Sequence, residues 1–202
     1  LMDSYPRAMQ LSNGDVFIAF DSETDDLVPQ PNEDGAAWVV RPHYDSGDLG
    51  WQLLAATPSA GRRHYGSACI MHMKNPGEPE DVVNDRVFAI GGRGATDALS
   101  LVEEYNSTSG QPGGSWIVRN PLLHARWRQN VVVLPTGMLF VHGGDDHAHL
   151  GGGGPVFTPE LYDPGRSKNQ TTQPDPIPLA QPKDVMGTWT VGAKTPREYH
   201  HV

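Results

Sequence analysis

Ala125-Arg126-Trp127-Arg128-Gln129-Asn130-Val131-Val132-Val133-Leu134-Pro135-Thr136-Gly137-Met138-Leu139-Phe140-Val141-His142-Gly143-Gly144 reads as a β-hairpin with a special exit. An apolar run meets a Pro-x-Gly turn, and a second apolar run ends in paired glycines, whose backbone angles other residues resist. Downstream, Pro155-Val156-Phe157-Thr158-Pro159-Glu160-Leu161-Tyr162-Asp163-Pro164 supplies a third short strand that Asp-Pro stops.

The pattern recurs. Asp85-Arg86-Val87-Phe88-Ala89-Ile90-Gly91-Gly92, then Leu101-Val102-Glu103-Glu104-Tyr105-Asn106 and Trp116, repeats the order Gly-Gly, strand, Tyr-Asn/Asp, Trp, as Tyr162-Asp163 and Trp189 do. A weaker copy opens the chain. Asn13-Gly14-Asp15-Val16-Phe17-Ile18-Ala19-Phe20 is its hairpin, and Trp38-Val39-Val40, Tyr44-Asp45 and Trp51 follow without paired glycines. Repetition at about 50 to 70 residues with several short strands per unit is the mark of a kelch-type β-propeller blade, stacked radially on its neighbours. The expected fold is therefore all-β: about three blades plus the start of another, a partial ring of a propeller expected to close at seven.

The divisions expected are blade one over 1–59, blade two over 60–121, blade three over 122–193, and the first strand of the next blade over 194–202. Polar, proline-bearing loops are expected at 21–35, 74–81 and 166–183. The chain starts at Leu1 and stops at Val202 where a further hairpin is due, so a segment of a longer protein is expected, with the remaining blades as its partners.

Composition narrows the function. A net charge of −9 speaks against nucleic acid, whose phosphates need a basic face. No apolar run is long enough to span a bilayer. Cys69, the single cysteine, sits in an apolar strand and reads as a small buried hydrophobe. Two sequons, Asn106-Ser107-Thr108 and Asn169-Gln170-Thr171, read as loop positions of a secreted glycoprotein.

Pro155-Val156-Phe157-Thr158-Pro159-Glu160-Leu161-Tyr162, followed by Arg197-Glu198-Tyr199-His200, resembles the galactose oxidase and glyoxal oxidase family of secreted copper radical oxidases. The likeness covers about residues 60–202, and the first blade by pattern alone. It implies one copper ion held by Tyr199 as an axial phenolate and His200 as an equatorial imidazole. It also implies Tyr199 as the base that takes the substrate's hydroxyl proton. The substrate would be a small primary alcohol, aldehyde or carbohydrate, oxidised by O2 with release of H2O2. The family's Cys-Tyr radical cofactor is expected outside this segment, as is its second copper histidine; Cys69 does not match the cofactor cysteine. His201 stands where the family usually has a small hydroxyl residue. The alternative is a non-catalytic propeller of the same superfamily, an extracellular carbohydrate-binding or structural module.

Two adjacent strand residues point to opposite faces, so a shared ion at Tyr199 and His200 requires a bend at the strand's start. Nitrogen and oxygen donors of this kind suit Cu(II). Packing between blades is the plainer reading of that Tyr-His pair. A second candidate metal cluster is His142, Asp145, Asp146, His147 and His149, set in a glycine-rich loop whose ordering costs entropy. Trp51, Trp116 and Trp189, with Tyr44, Tyr105 and Tyr162, read as plugs between sheets. Arg63, Arg126 and Arg197 read as donors to carbonyls of neighbouring blades, with Arg126 or Arg128 facing an anionic substrate as the alternative.

Overall fold

Short apolar runs between glycine, proline and asparagine turns satisfy their backbone only by pairing with one another. The computed structural model describes residues 7–21, 36–42, 49–53, 65–73, 79, 83–94, 97–108, 114–146, 154–164 and 188–193. Among these, all the regular structure is strand. The first four strands are β1 (Arg7–Gln10), β2 (Val16–Asp21), β3 (Ala36–Pro42) and β4 (Leu49–Leu53). Next come β5 (Ser67–Met73), β6 (Asn84–Ile90), β7 (Val102–Thr108) and β8 (Gly114–Val118). The last four are β9 (Asn130–Val133), β10 (Leu139–His142), β11 (Glu160–Asp163) and β12 (Thr188–Val191).

They form three four-stranded sheets in simple chain order, β1-β2-β3-β4, β5-β6-β7-β8 and β9-β10-β11-β12. Every pairing is antiparallel. First strands lie side by side, β1 against β5 and β5 against β9, so the meanders fan outward from their first strands as propeller blades do. The fold is an all-β partial propeller.

What holds the fan together is burial of both faces of each middle strand. In β6, Val87 and Ala89 join Leu11, Phe17, Ala19, Val39 and Tyr105 in the seam toward the first sheet. Phe88 and Ile90, on the opposite face, join Val102, Leu122, Leu139, Val141 and Tyr162 in the seam toward the third. That two-sided burial explains why β6 is apolar throughout its second half instead of alternating. Each of its large side chains contributes about 1.5–3 kcal/mol by leaving water.

Register fixes the aromatic plugs. Tyr105 lies opposite Trp116 and Tyr162 opposite Trp189, with ring centroids 5.3 and 4.5 Å apart. The Trp189 indole also donates to Asn120 O at 2.8 Å, tying the third sheet to the exit of the second. In the first sheet the residue opposite Trp51 is Val40. Tyr44 therefore does not hold the place that Tyr105 and Tyr162 hold, because β3 ends at Pro42; Tyr44 itself lies outside the described residues, as does the side chain of Trp51.

The first sequon is also corrected. Asn106 is not in a loop but within β7, opposite both Arg86 and Ser115. Its side-chain amide nitrogen is buried, which removes it from a glycosylating enzyme once the sheet has formed. The second sequon lies outside the described residues, as do nearly all of the three expected polar loops and the whole of 194–202. Among the described residues no helix is long and apolar enough to cross a membrane.

Candidate functional site

Tyr199 and His200 lie outside the described residues, together with His201, Arg63 and Arg197. The same point in the repeat is described twice, however. Arg126-Trp127-Arg128 leads into β9 as Arg63-His64-Tyr65 leads into β5, with Arg128 and Tyr65 each two residues ahead of the first paired residue, Asn130 and Ser67. Arg197-Glu198-Tyr199 has the same spacing, which makes Tyr199 the sequence equivalent of Tyr65 and Arg128.

Both described equivalents are bent. Tyr65 has φ of 52° and Arg128 φ of 57°, and they are the two non-glycine residues with positive φ among those described. A left-handed residue costs roughly 1–2 kcal/mol when it carries a side chain. It also breaks the alternation of a strand, so that consecutive side chains need not point to opposite faces. Sequence alone gave no sign of this, because neither position is Gly, Asn or Asp.

The bends are held from several sides. Arg128 N donates to Tyr65 O at 2.9 Å, a bond between equivalent residues of consecutive sheets. The Ser67 hydroxyl donates to the Gln129 carbonyl, and Gln129 Nε2 donates to Ile90 O at 2.6 Å. Trp127 and Asp145 exchange both backbone bonds at 3.0 Å. Gly91, with φ of 58°, lets the next sheet approach this closely. A Cβ there would lie 2.6 Å from Arg126 O and would overlap the Gln129 amide.

Side chains gather around this backbone. The Tyr65 and Trp127 rings are 5.6 Å apart and tilted by 57°. Arg128 Cζ sits 4.1 Å from the Trp127 centroid and 5.2 Å from that of Tyr65. Arg93, just past the Gly91-Gly92 pair, brings its Cζ to 5.4 Å from the same indole. Trp127 and Arg93 are buried, Tyr65 is half-buried and Arg128 is exposed. The group occupies the ends where first strands begin and second strands finish.

Arg126 differs from the expectation. Its carbonyl acceptors are those of its own sheet and lead-in: Nη1 donates to Gly143 O at 3.2 Å, Nη2 to Thr158 O at 3.0 Å and Nε to His124 O at 3.3 Å. Nη2 also pairs with Glu160 Oε1 at 2.5 Å, and both side chains are fully buried. With its charge met inside the protein it faces no substrate. Glu160 further accepts from Leu123 N at 2.7 Å and His124 N at 3.1 Å. This carboxylate was missed from sequence, although Glu103-x-Tyr105 and Glu160-x-Tyr162 share a spacing.

The loop cluster does not assemble over its described part. Among the described residues no three of His, Cys, Asp and Glu are placed to share a metal. The His142 ring stacks on Phe140 at 5.3 Å and 28°. Burial, and then the charge of Arg126, hold its pKa below the ordinary 6.5. Asp146 Oδ1 accepts from Gly154 N at 2.8 Å and so closes the base of its loop. His147 and His149 lie outside the described residues. Cys69 packs against the second seam, and burial pushes its thiol up to about 12, too high for a thiolate nucleophile.

No family model matches the chain, and no curated protein matches it. Among solved structures it is similar to a fungal alcohol oxidase of the AA5 family in complex with copper, at a TM-score of 0.37 and 17% identity over 79% of this chain. The chain spans about two fifths of that structure's length, 41%.

Proposed function

We propose that this chain is a segment of a secreted copper-dependent oxidase that converts a primary alcohol or an aldehyde with O2 and releases H2O2. In this reading 1–59, 60–121 and 122–193 are successive blades and 194–202 begins the next. Tyr199 and His200 are the metal ligands. The observation that carries the reading is the left-handed bend at Tyr65 and at Arg128, the two residues equivalent to Tyr199. The same bend at Tyr199 would relieve the alternation that otherwise sends its phenol and the His200 imidazole to opposite faces.

The donor set fits the metal. A phenolate oxygen and an imidazole nitrogen suit Cu(II), and a bound cation lowers a phenol's pKa below its ordinary value of about 10. Copper, with the radical cofactor carried elsewhere in the protein, would supply the redox chemistry. Tyr199 takes the hydroxyl proton of the alcohol. For a primary alcohol the balance is RCH2OH + O2 giving RCHO + H2O2.

The test is peroxide release by the copper-loaded protein from simple primary alcohols and aldehydes. Tyr199→Phe is expected to lower kcat by about 10²-fold or more, the range for losing a positioned general base. Peroxide release that survives this substitution undiminished would remove Tyr199 from the chemistry. A carbohydrate-binding or structural propeller would release none with either protein.

A further inference from the structure

We infer that Arg128 is the anchor for a substrate carboxylate, so that the substrates of the proposed site are small hydroxy or oxo acids and not neutral alcohols. The inference rests on the reading of Tyr199 above and adds a residue and a substrate class to it.

The geometry of Arg128 is that of a presented guanidinium. Its Cζ is held 4.1 Å from the Trp127 centroid and 5.2 Å from the Tyr65 centroid, so two rings restrain it. A guanidinium laid over an aromatic face keeps its N–H groups in its own plane, at the edge, where they match the two oxygens of a carboxylate. Arg128 is exposed. Among the described residues its side-chain nitrogens have no hydrogen-bond or carboxylate partner; its polar contact there is the backbone bond to Tyr65 O. Arg93 approaches the same indole at 5.4 Å and adds positive charge nearby. In a chain of net charge −9, such a cluster is a local reversal of the overall field.

The repeat places Arg128 near the reacting groups. Tyr65 and Arg128 are equivalent residues one sheet apart, joined by the 2.9 Å backbone bond and by the side-chain contact. One further step of the same operation sets residue 199 against Arg128 as Arg128 is set against Tyr65. A carboxylate seated on Arg128 would then leave the hydroxyl or carbonyl carbon of a short acid beside Tyr199. The backbone conformation supports a functional role as well. A left-handed φ of 57° at an arginine is uphill, and it is kept at the residue that carries the exposed cation.

The experiment is titration of the metal-free protein with glycolate and with neutral ethylene glycol, followed by calorimetry and tryptophan fluorescence. Asparagine tolerates positive φ, so Arg128→Asn removes the charge without straining the bend. Glycolate is expected to bind the unaltered protein, about 10-fold or more weaker to Arg128→Asn, and intermediately to Arg128→Lys, which keeps charge but loses the fork. Ethylene glycol should not discriminate among the three. In the copper-loaded protein, Arg128→Asn should raise KM for acid substrates and leave KM for neutral alcohols in place. Equal glycolate affinity in unaltered protein and Arg128→Asn would overturn the assignment. So would a loss of folding stability in both variants with no glycolate binding in the unaltered protein, because Arg128 would then be paired internally. Arg128-dependent glycolate binding in a protein that makes no peroxide would end the oxidase reading and leave the anion site standing.

Discussion

Arg126 and Arg128 are two residues apart and do opposite things. Arg126 is fully buried, pairs with Glu160 and spends its remaining donors on the carbonyls of His124, Gly143 and Thr158. Arg128 is exposed, rests on Trp127 and Tyr65, and holds a strained backbone. Matched residue types on adjacent turns of one lead-in thus divide into a clamp for the sheet and a presented charge. The bend at Arg128 separates the interior of the blade from the end where first strands start. The second sheet has its own closed network, in which Glu104 takes Arg86 Nε at 2.6 Å and Arg119 Nε at 2.7 Å with no exposure. Arg86 reaches on to Pro164 O at 3.2 Å and ties that network to the third sheet.

The sharpest way to break the contrast is to remove each arginine in turn. Arg126→Met leaves Glu160 buried without its cation and should cost about 3–5 kcal/mol. Arg128→Gly removes an exposed side chain and relieves the left-handed strain, so stability should hold or rise by up to about 1 kcal/mol. Denaturant unfolding measures both. Equal losses for the two variants would erase the distinction between clamp and presented charge.

A smaller effect sharpens the buried side of the comparison. Burial alone would raise the pKa of Glu104, but Arg86 and then Arg119 overcome it and hold the carboxyl below its ordinary 4.5. The unfolded chain therefore binds this proton more readily than the folded one. Stability from Glu104 is fully present above pH 4.5 and is lost as the pH falls through the depressed folded value. Denaturant midpoints taken from pH 6 downward should fall below that point, with a shallower slope in Glu104→Gln. A slope unchanged by the substitution would assign the acid sensitivity elsewhere.

The meander and its seams were legible because they depend on local chemistry: paired glycines at Gly91-Gly92 and Gly143-Gly144, the Pro135-x-Gly137 turn, and aromatic residues at fixed places in each repeat. The first sheet was misaligned for a physical reason. Val40 fills the place of the tyrosine, and a nearby Tyr-Asp pair imitated it. Asn106-Ser107-Thr108 likewise matched a surface triplet while belonging to a paired strand. Around the candidate site, the partner of Arg126 stands 34 residues away in Glu160, beyond the reach of pattern reading. The left-handed backbone at Tyr65 and Arg128 left no trace in residue type. It arises from contacts between sheets, namely Arg128 N to Tyr65 O and Gln129 to Ile90.

The central claim is that the bend seen at Tyr65 and Arg128 recurs at Tyr199 and turns a phenol and an imidazole toward one ion. Cu(II) titration followed by electron paramagnetic resonance tests it directly. One tightly held ion per protein is expected, with nitrogen coupling that is reduced in His200→Ala and affinity that falls in Tyr199→Phe as well. A protein whose Cu(II) spectrum and stoichiometry are the same with and without these two side chains would contradict the account.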